Sequence, residues 1–246
     1  MCPDTRKFIL EQLVPTYSQL TYHYLDLELI PYGKVSADGT CQHGHDECYG
    51  NRFQGCYFTG LGIDNNNSII ANQSPSIEQQ LELVRCMFAN ESDFRQPYIT
   101  SKRCLQEQQQ QQHQQQLLQY YHYNDSVKEL DYESVYRCGN FSTPGNETFN
   151  YYGLKTLYLE PKLNFIPWIV MNGVHNDEMQ DQSLTNLLDY LCRNYYLPAE
   201  EASTTTGWKA PTVCRSGDGS RVVGNDGYIN LMIIWLMVAM SIVNMY

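Results

Sequence analysis

The sequence predicts an α/β domain interrupted by a large cysteine-rich insertion, and three observations carry that prediction. An apolar stripe at helical spacing, Phe8, Ile9, Leu13 and Leu20, runs directly into a strand-like alternation of Leu25, Leu27 and Leu29 against Asp26 and Glu28. Far downstream an apolar run, Phe165 to Met171, meets Asn172-Gly173 and then a helix repeating Leu184, Leu187, Leu188 and Leu191. Between the two halves, residues 34 to 160 are rich in Cys, Tyr and Asn and read as mostly irregular.

Each element has a local cause. Asp4 or Thr5 can cap a helix over 4–20, which Pro15 should bend. Pro31-Tyr32-Gly33 ends the strand over 24–30. The best helix of the insertion is 76–88, with Ile77, Leu81, Val84 and Phe88 on one face. Residues 106–116 are almost pure Gln, interrupted by Glu107 and His113, and lack the apolar surface to fold, so they predict a disordered surface insertion. Asn-Gly at 172–173 predicts a hairpin, and the closing helix covers 183–194. In order these are helix, strand, long insertion, hairpin and helix, a thioredoxin-like order lacking its first strand, which should lie immediately before Cys2. A sheet without that interior strand leaves backbone groups unpaired, so the chain by itself is expected to fold poorly. The domain runs over 1–197, followed by a polar linker at 198–227 and a hydrophobic tail at 228–246.

Lys and Arg number 16 against 27 Asp and Glu, a net charge of -11, which argues against a nucleic-acid partner because nothing could neutralise a run of phosphates. Nine cysteines without a C-x2-C pair point away from a zinc ribbon. Sequons beginning at Asn66, Asn72, Asn90, Asn124, Asn140 and Asn146 join the cysteines in favouring an oxidising, secretory compartment. Residues 1–14, MCPDTRKFILEQLV, hold no apolar stretch of signal-peptide length, so a secretory chain would here be incomplete at its amino end.

The most informative segment is residues 41–56, CQHGHDECYGNRFQGC. Cys41, His43, His45 and Cys48 are of residue types that suit zinc, but their spacing is not that of a usual structural site, and disulfide formation competes for the sulfurs. The alternative is a disulfide-stapled insertion that helps to shape a substrate groove. The segment matches the pattern CQHGxxECxxNxxxxC at every fixed position, and on it the chain resembles the gamma-interferon-inducible lysosomal thiol reductase (GILT) family over residues 2 to 197, as an invertebrate GILT-like protein. Ile30-Pro31-Tyr32-Gly33 is similar to the family's strand end, and IPWIVMNG from Ile166 to its cis-proline segment.

The resemblance implies a thiol-disulfide oxidoreductase that acts on protein disulfides in acidic endosomal or lysosomal compartments. It places Cys2-Pro3-Asp4-Thr5 where thioredoxin-like enzymes carry C-x-x-C. A sulfur at a helix start faces unpaired N–H groups, which favour the nucleophilic thiolate, although Asp4 opposes this. Thr5 replaces the resolving cysteine. Its hydroxyl could bond the thiolate but cannot release a mixed disulfide, so the implied enzyme is monothiol, with Cys2 as sole nucleophile and an external small thiol as reductant. No cofactor or metal is implied. Without Cys2, eight cysteines remain to pair: Cys41, Cys48, Cys56, Cys86, Cys104, Cys138, Cys192 and Cys214. The resemblance also makes Ile166, just before Pro167, the residue whose backbone docks a substrate chain by strand-like pairing. The rival reading is a catalytically silent binding module that keeps the fold and its groove.

The tail, YINLMIIWLMVAMSIVNMY over 228–246, carries no charge and reaches roughly the thickness of a bilayer core as a helix. Ser216, Gly217 and Asp218 and the polar stretch that follows match the layout of a GPI signal, and a retained membrane helix or a buried core segment are the alternatives. The expected locations are therefore lysosomal, extracellular or cell-surface, with the membrane as a partner through the tail and disulfide-containing proteins as substrates.

Overall fold

The computed structural model describes residues 2–36, 38–42, 44–90, 96–118, 130–140, 142–203, 207–215 and 233–234. His43, Asn124 and all of the tail but Ile233–Ile234 lie outside them. The described part is a disulfide-rich, mainly helical α/β assembly around one principal core.

Helix α1 (Pro3–Phe8) continues through a π-turn (Ile9–Leu13) into α2 (Val14–Tyr24). The expected bend at Pro15 takes the form of this π-turn, because proline lacks an N–H and crowds the carbonyl of the preceding turn. A second π-turn (Cys192–Tyr196) precedes Pro198 in the same way, between α8 (Asp177–Leu191) and α9 (Leu197–Ala202). Phe8, Ile9, Leu13 and Leu20 are buried, as their spacing predicts.

The strand expected over 24–30 is regular only at β1 (Asp26–Leu27). Its alternation nevertheless holds: Leu25, Leu27 and Leu29 are buried while Asp26 faces solvent. Glu28 pairs with Lys155. The parallel partner of β1 is β4 (Ile233–Ile234), with Asp26 opposite Ile233 and Leu27 opposite Ile234. Two residues of the tail are thus sheet-paired, and among the described residues no helix is long and apolar enough to cross a membrane.

The insertion is not irregular. It contains α3 (His45–Phe58), the antiparallel pair β2 (Leu61–Ile63) and β3 (Ile69–Ala71), α4 (Ile77–Ala89), α5 (Pro97–Leu118), α6 (Tyr132–Gly139) and α7 (Thr143–Leu157). Caps explain several starts: Ser76 and Gln79 form a capping box on α4, Asp131 caps α6 and Ser142 caps α7. The sequence showed weak periodicity because α3 is buried nearly all round, from Glu47 to Phe58, so no polar face alternates with an apolar one. Gly139 lets α6 approach α3 closely, since a Cβ there would stand 2.8 Å from Phe53 Cα.

The Gln tract departs most from expectation. It lies in α5, where Gln108 is buried and donates through Nε2 to Gln79 O at 2.8 Å, and Gln109 Nε2 donates to Leu130 O at 2.6 Å. Glutamine is a fair helix former, and these tertiary hydrogen bonds supply the anchoring that its composition does not.

The run Phe165–Met171 forms no regular strand. Only Met171 and Val174 pair, through reciprocal 2.9 Å bonds across the positive-φ turn Asn172-Gly173. Helix α8 starts at Asp177, earlier than the leucine repeat indicates, because Asn176 caps it by accepting from Met179 N at 2.8 Å. Part of the stretch read as linker is also folded. Ala210 is buried, α10 (Thr212–Arg215) follows, and Cys214 is bonded to Cys192.

Candidate active site

Eight cysteines pair as Cys41–Cys48, Cys56–Cys138, Cys86–Cys104 and Cys192–Cys214, which leaves Cys2 as the free thiol of the nine. Cys2 is the N-cap residue of α1, with φ -70° and ψ 132°, and its carbonyl accepts from Arg6 N at 3.0 Å. It is 6% exposed. Arg6 in turn donates from Nε to Phe88 O at 3.0 Å, tying the first turn of α1 to the end of α4.

Thr5 is fully buried, and its Oγ1 has no hydrogen-bond partner among the described residues, the Cys2 sulfur included. The hydroxyl-to-sulfur bond considered from the sequence is therefore not made. What remains is a buried hydroxyl one helical turn from a lone thiol.

The peptide between Ile166 and Pro167 is cis, as is Glu160–Pro161, which no feature of the sequence singles out. No hydrogen bond among the described residues links Cys2 or Thr5 to Ile166 or Pro167. The two pairs instead share α8 as a support. Gln12, in the π-turn behind Cys2, accepts through Oε1 from Leu187 N at 3.1 Å, at the break in α8 where Asn186 leaves helical geometry. Gln180 on the same helix donates through Nε2 to Pro167 O at 2.9 Å. Ile169 and Met171 belong to the core cluster that holds Ile9 and Leu13, while Trp168 and Val170 pack in a separate cluster with Leu159.

Cys41–Cys48 takes both sulfurs of the zinc alternative, and among the described residues no group of three or more His, Cys, Asp or Glu could hold a metal. The segment instead organises its surroundings. Asn51 Nδ2 donates to Tyr32 O at 2.6 Å, pinning the segment after β1 to α3. Arg52 lies 4.5 Å over the Phe149 ring and donates from Nε to Asn146 Oδ1 at 2.8 Å, joining α3 to α7. Burial lowers the Arg52 guanidinium from its ordinary value and raises the Tyr32 phenol, the charged form being penalised in each case. His45 Nδ1 lies 3.2 Å from the Tyr98 hydroxyl on the exposed side. Of the candidate glycosylation positions, Asn66 and Asn140 are exposed, and Asn72, Asn90 and Asn146 are half-buried.

Gln180 and His175 went unread in the sequence. A signal was present: Gln180, Ser183, Leu187 and Leu191 fall on one buried stripe of α8, so Gln180 is a long polar side chain at a core position.

These features define a disulfide-stapled α/β domain with one unpaired cysteine at a helix start. Residues 1–108 match the family model described as gamma interferon inducible lysosomal thiol reductase (GILT). The chain is 27% identical to the Gamma-interferon-inducible lysosomal thiol reductase of Carassius auratus, with 79% of this chain and 65% of that protein covered. It is 29% identical to a Gamma-interferon-inducible lysosomal thiol reductase-like protein of Anopheles gambiae, over 79% of this chain and 73% of that one. GILT-like protein 1 of Drosophila melanogaster is 23% identical, over 89% and 77%. Over its first 108 residues, and over most of its length against these relatives, the chain is thus similar to proteins named as thiol reductases.

Proposed function

We propose that the protein is a thiol-disulfide oxidoreductase of thioredoxin-like build that reduces protein disulfides on the secretory route, with Cys2 as its sole redox nucleophile. The observation that carries this reading is the cysteine bookkeeping: every other cysteine is committed to a bridge, and the one left over occupies the N-cap position of the helix where the family resemblance expects the nucleophile. Four disulfides also fit an oxidising compartment better than the cytosol. The lysosomal naming of the relatives supports an endosomal or lysosomal setting.

The reaction proceeds by two exchanges. The Cys2 thiolate attacks one sulfur of a substrate disulfide, forming a mixed disulfide and expelling the other substrate sulfur as a thiolate, which takes up a proton. Thr5 has no sulfur to offer, so an external small thiol attacks the Cys2 sulfur and expels the second substrate thiol. A second molecule of that thiol then frees Cys2. The balance is one substrate disulfide and two small thiols giving one substrate dithiol and one small-molecule disulfide.

The test is trapping with an activity assay on the whole protein. Covalent substrate adducts should form at Cys2 alone, and Cys2→Ser should abolish reduction of a protein disulfide. Retention of full activity by Cys2→Ser, or failure of alkylating agents to modify Cys2 at mildly acidic pH, would replace this reading with a silent binding module.

A further inference from the structure

The segment after Ile166 is held in an unusual way. An apolar run of this kind normally satisfies its backbone groups against a neighbouring strand. Here Met171 alone has such a partner, Val174. For the residues before it, side chains take the strand's place. Gln180 Oε1 accepts from Ile169 N at 3.0 Å, and Gln180 Nε2 donates to Pro167 O at 2.9 Å. His175 Nδ1 lies 2.7 Å from Ile169 O and, a carbonyl being only an acceptor, carries the donated proton. One primary amide thus fills the acceptor and donor positions that a paired residue of an adjacent strand would fill.

The surroundings make this clamp stiff. Gln180 is 1% exposed, and α8 places it on the core stripe between Met179 and Ser183. The His175 ring stacks on Trp168 at 3.6 Å between centroids and 12° between planes. Just upstream the clamp ends. Among the described residues nothing bonds the N–H or C=O of Ile166, and this residue is only half-buried. The orientation of those two groups is set by the next carbonyl along the chain, which Gln180 holds.

The geometry points to Gln180 as a positioning residue of the exchange site: its amide, bonded to Pro167 O and Ile169 N, stands in for a strand and aims the free backbone groups of Ile166 at an extended polypeptide substrate. This rests on the reading of Ile166 as the docking residue given above. Because Gln180 acts on the docking backbone and does not touch Cys2, its loss should weaken polypeptide binding and leave the thiol chemistry intact.

The experiment compares wild type, Gln180→Met, Gln180→Glu and Cys2→Ser as full chains. Docking is read as the affinity for reduced, carboxymethylated α-lactalbumin, an unfolded polypeptide without disulfides. Exchange is read separately with a small aromatic disulfide. Gln180→Met keeps the volume and loses both bonds, so docking should weaken about tenfold and KM for a polypeptide disulfide should rise with kcat kept, while exchange with the small disulfide stays at the wild-type rate. Gln180→Glu, brought to its ionised form at about pH 9 because burial raises a carboxyl there, repels Pro167 O and should dock as weakly. Protonated at about pH 4.5, it regains a donor and should recover towards wild type. The wild type, with the same His175, Asp177, Glu178 and Asp181 around the site, is the reference at each pH. If Gln180→Met does not fold, the presence or absence of pH-dependent recovery in Gln180→Glu decides between the outcomes. Wild-type docking by both variants at both pH values overturns the proposal. Cys2→Ser should lose exchange and keep docking. Exchange that survives in Cys2→Ser would sink the oxidoreductase reading, and the docking comparison would still decide the role of Gln180.

Discussion

The phenol of Tyr57 donates a 2.8 Å hydrogen bond to Oε1 of Gln108, joining α3 to the Gln-rich α5 across a buried contact. The same amide donates from Nε2 to Gln79 O, at the start of α4. Gln108→Leu should therefore cost about 1–2 kcal/mol, because it removes the bonds to the Tyr57 hydroxyl and to the part-buried Gln79 carbonyl. Gln110→Ala, at an exposed position of the same tract, should change stability by less than about 0.5 kcal/mol. Urea unfolding of the two variants checks the contrast, and equal effects would mean that the tract does not dock through Gln108.

The disulfides should differ in weight. Cys56–Cys138 spans 82 residues and Cys41–Cys48 only 7. In the chain-entropy model the first contributes about 4–5 kcal/mol and the second about 2 kcal/mol. Cys86–Cys104 lies inside the longer loop and shortens its effective length. Cys56→Ala/Cys138→Ala should still lower the thermal midpoint more than Cys41→Ala/Cys48→Ala, as measured by calorimetry under non-reducing conditions.

Tyr17 donates at 2.7 Å to Glu78 Oε1, tying α2 to α4. Burial works to raise the Glu78 carboxyl, but the bond from Tyr17 and those around the helix start outweigh it and hold the group below its ordinary value. A depressed folded value means that the contribution is present above the unfolded carboxylate range, about 4.3, and is lost as pH falls through the folded value. Tyr17→Phe should therefore destabilise by about 1 kcal/mol near neutral pH, with Glu78 partly open to water. That difference should hold down to about pH 5 and shrink below about pH 4. A pH-independent difference in urea midpoints would count against the carboxylate's part.

Thr5 stands where a dithiol version of the proposed exchange would need its second sulfur. Thr5→Cys places a thiol one helical turn from Cys2, so release should become intramolecular. Turnover on a protein disulfide should rise, and its steep dependence on added small thiol should flatten. Steady-state kinetics at varied thiol concentration check this. Unchanged thiol dependence in Thr5→Cys would show that the two positions do not communicate.

Legibility varied along the chain for physical reasons. The stripe of Phe8, Ile9, Leu13 and Leu20 and the alternation of Leu25, Leu27 and Leu29 each bury one face, so their periods survive in the sequence. Helix α3 is buried almost all round and carries no such period. The Gln tract misled because composition records how little apolar area a segment can bury, and says nothing of amide hydrogen bonds such as those of Gln108 and Gln109. The strand expected over Phe165–Met171 shrank to one bridge because Gln180 and His175 satisfy its backbone in place of a neighbouring strand.

By itself the sequence determined the family resemblance, through the spacing of Cys41, Gln42, His43, Gly44, Glu47, Cys48, Asn51 and Cys56, and the odd cysteine count that leaves one thiol unpaired. Both are one-dimensional facts, because a motif is a spacing and parity is a count. Only the tertiary structure decided which of the eight paired sulfurs meet and that an amide on α8 holds the backbone beside Ile166; that Cys2 is the one left over agrees with the expectation from the resemblance. Disulfide partners and side-chain clamps join residues far apart in the chain, such as Cys56 with Cys138. Their meeting depends on where packed helices bring them, which local spacing does not encode.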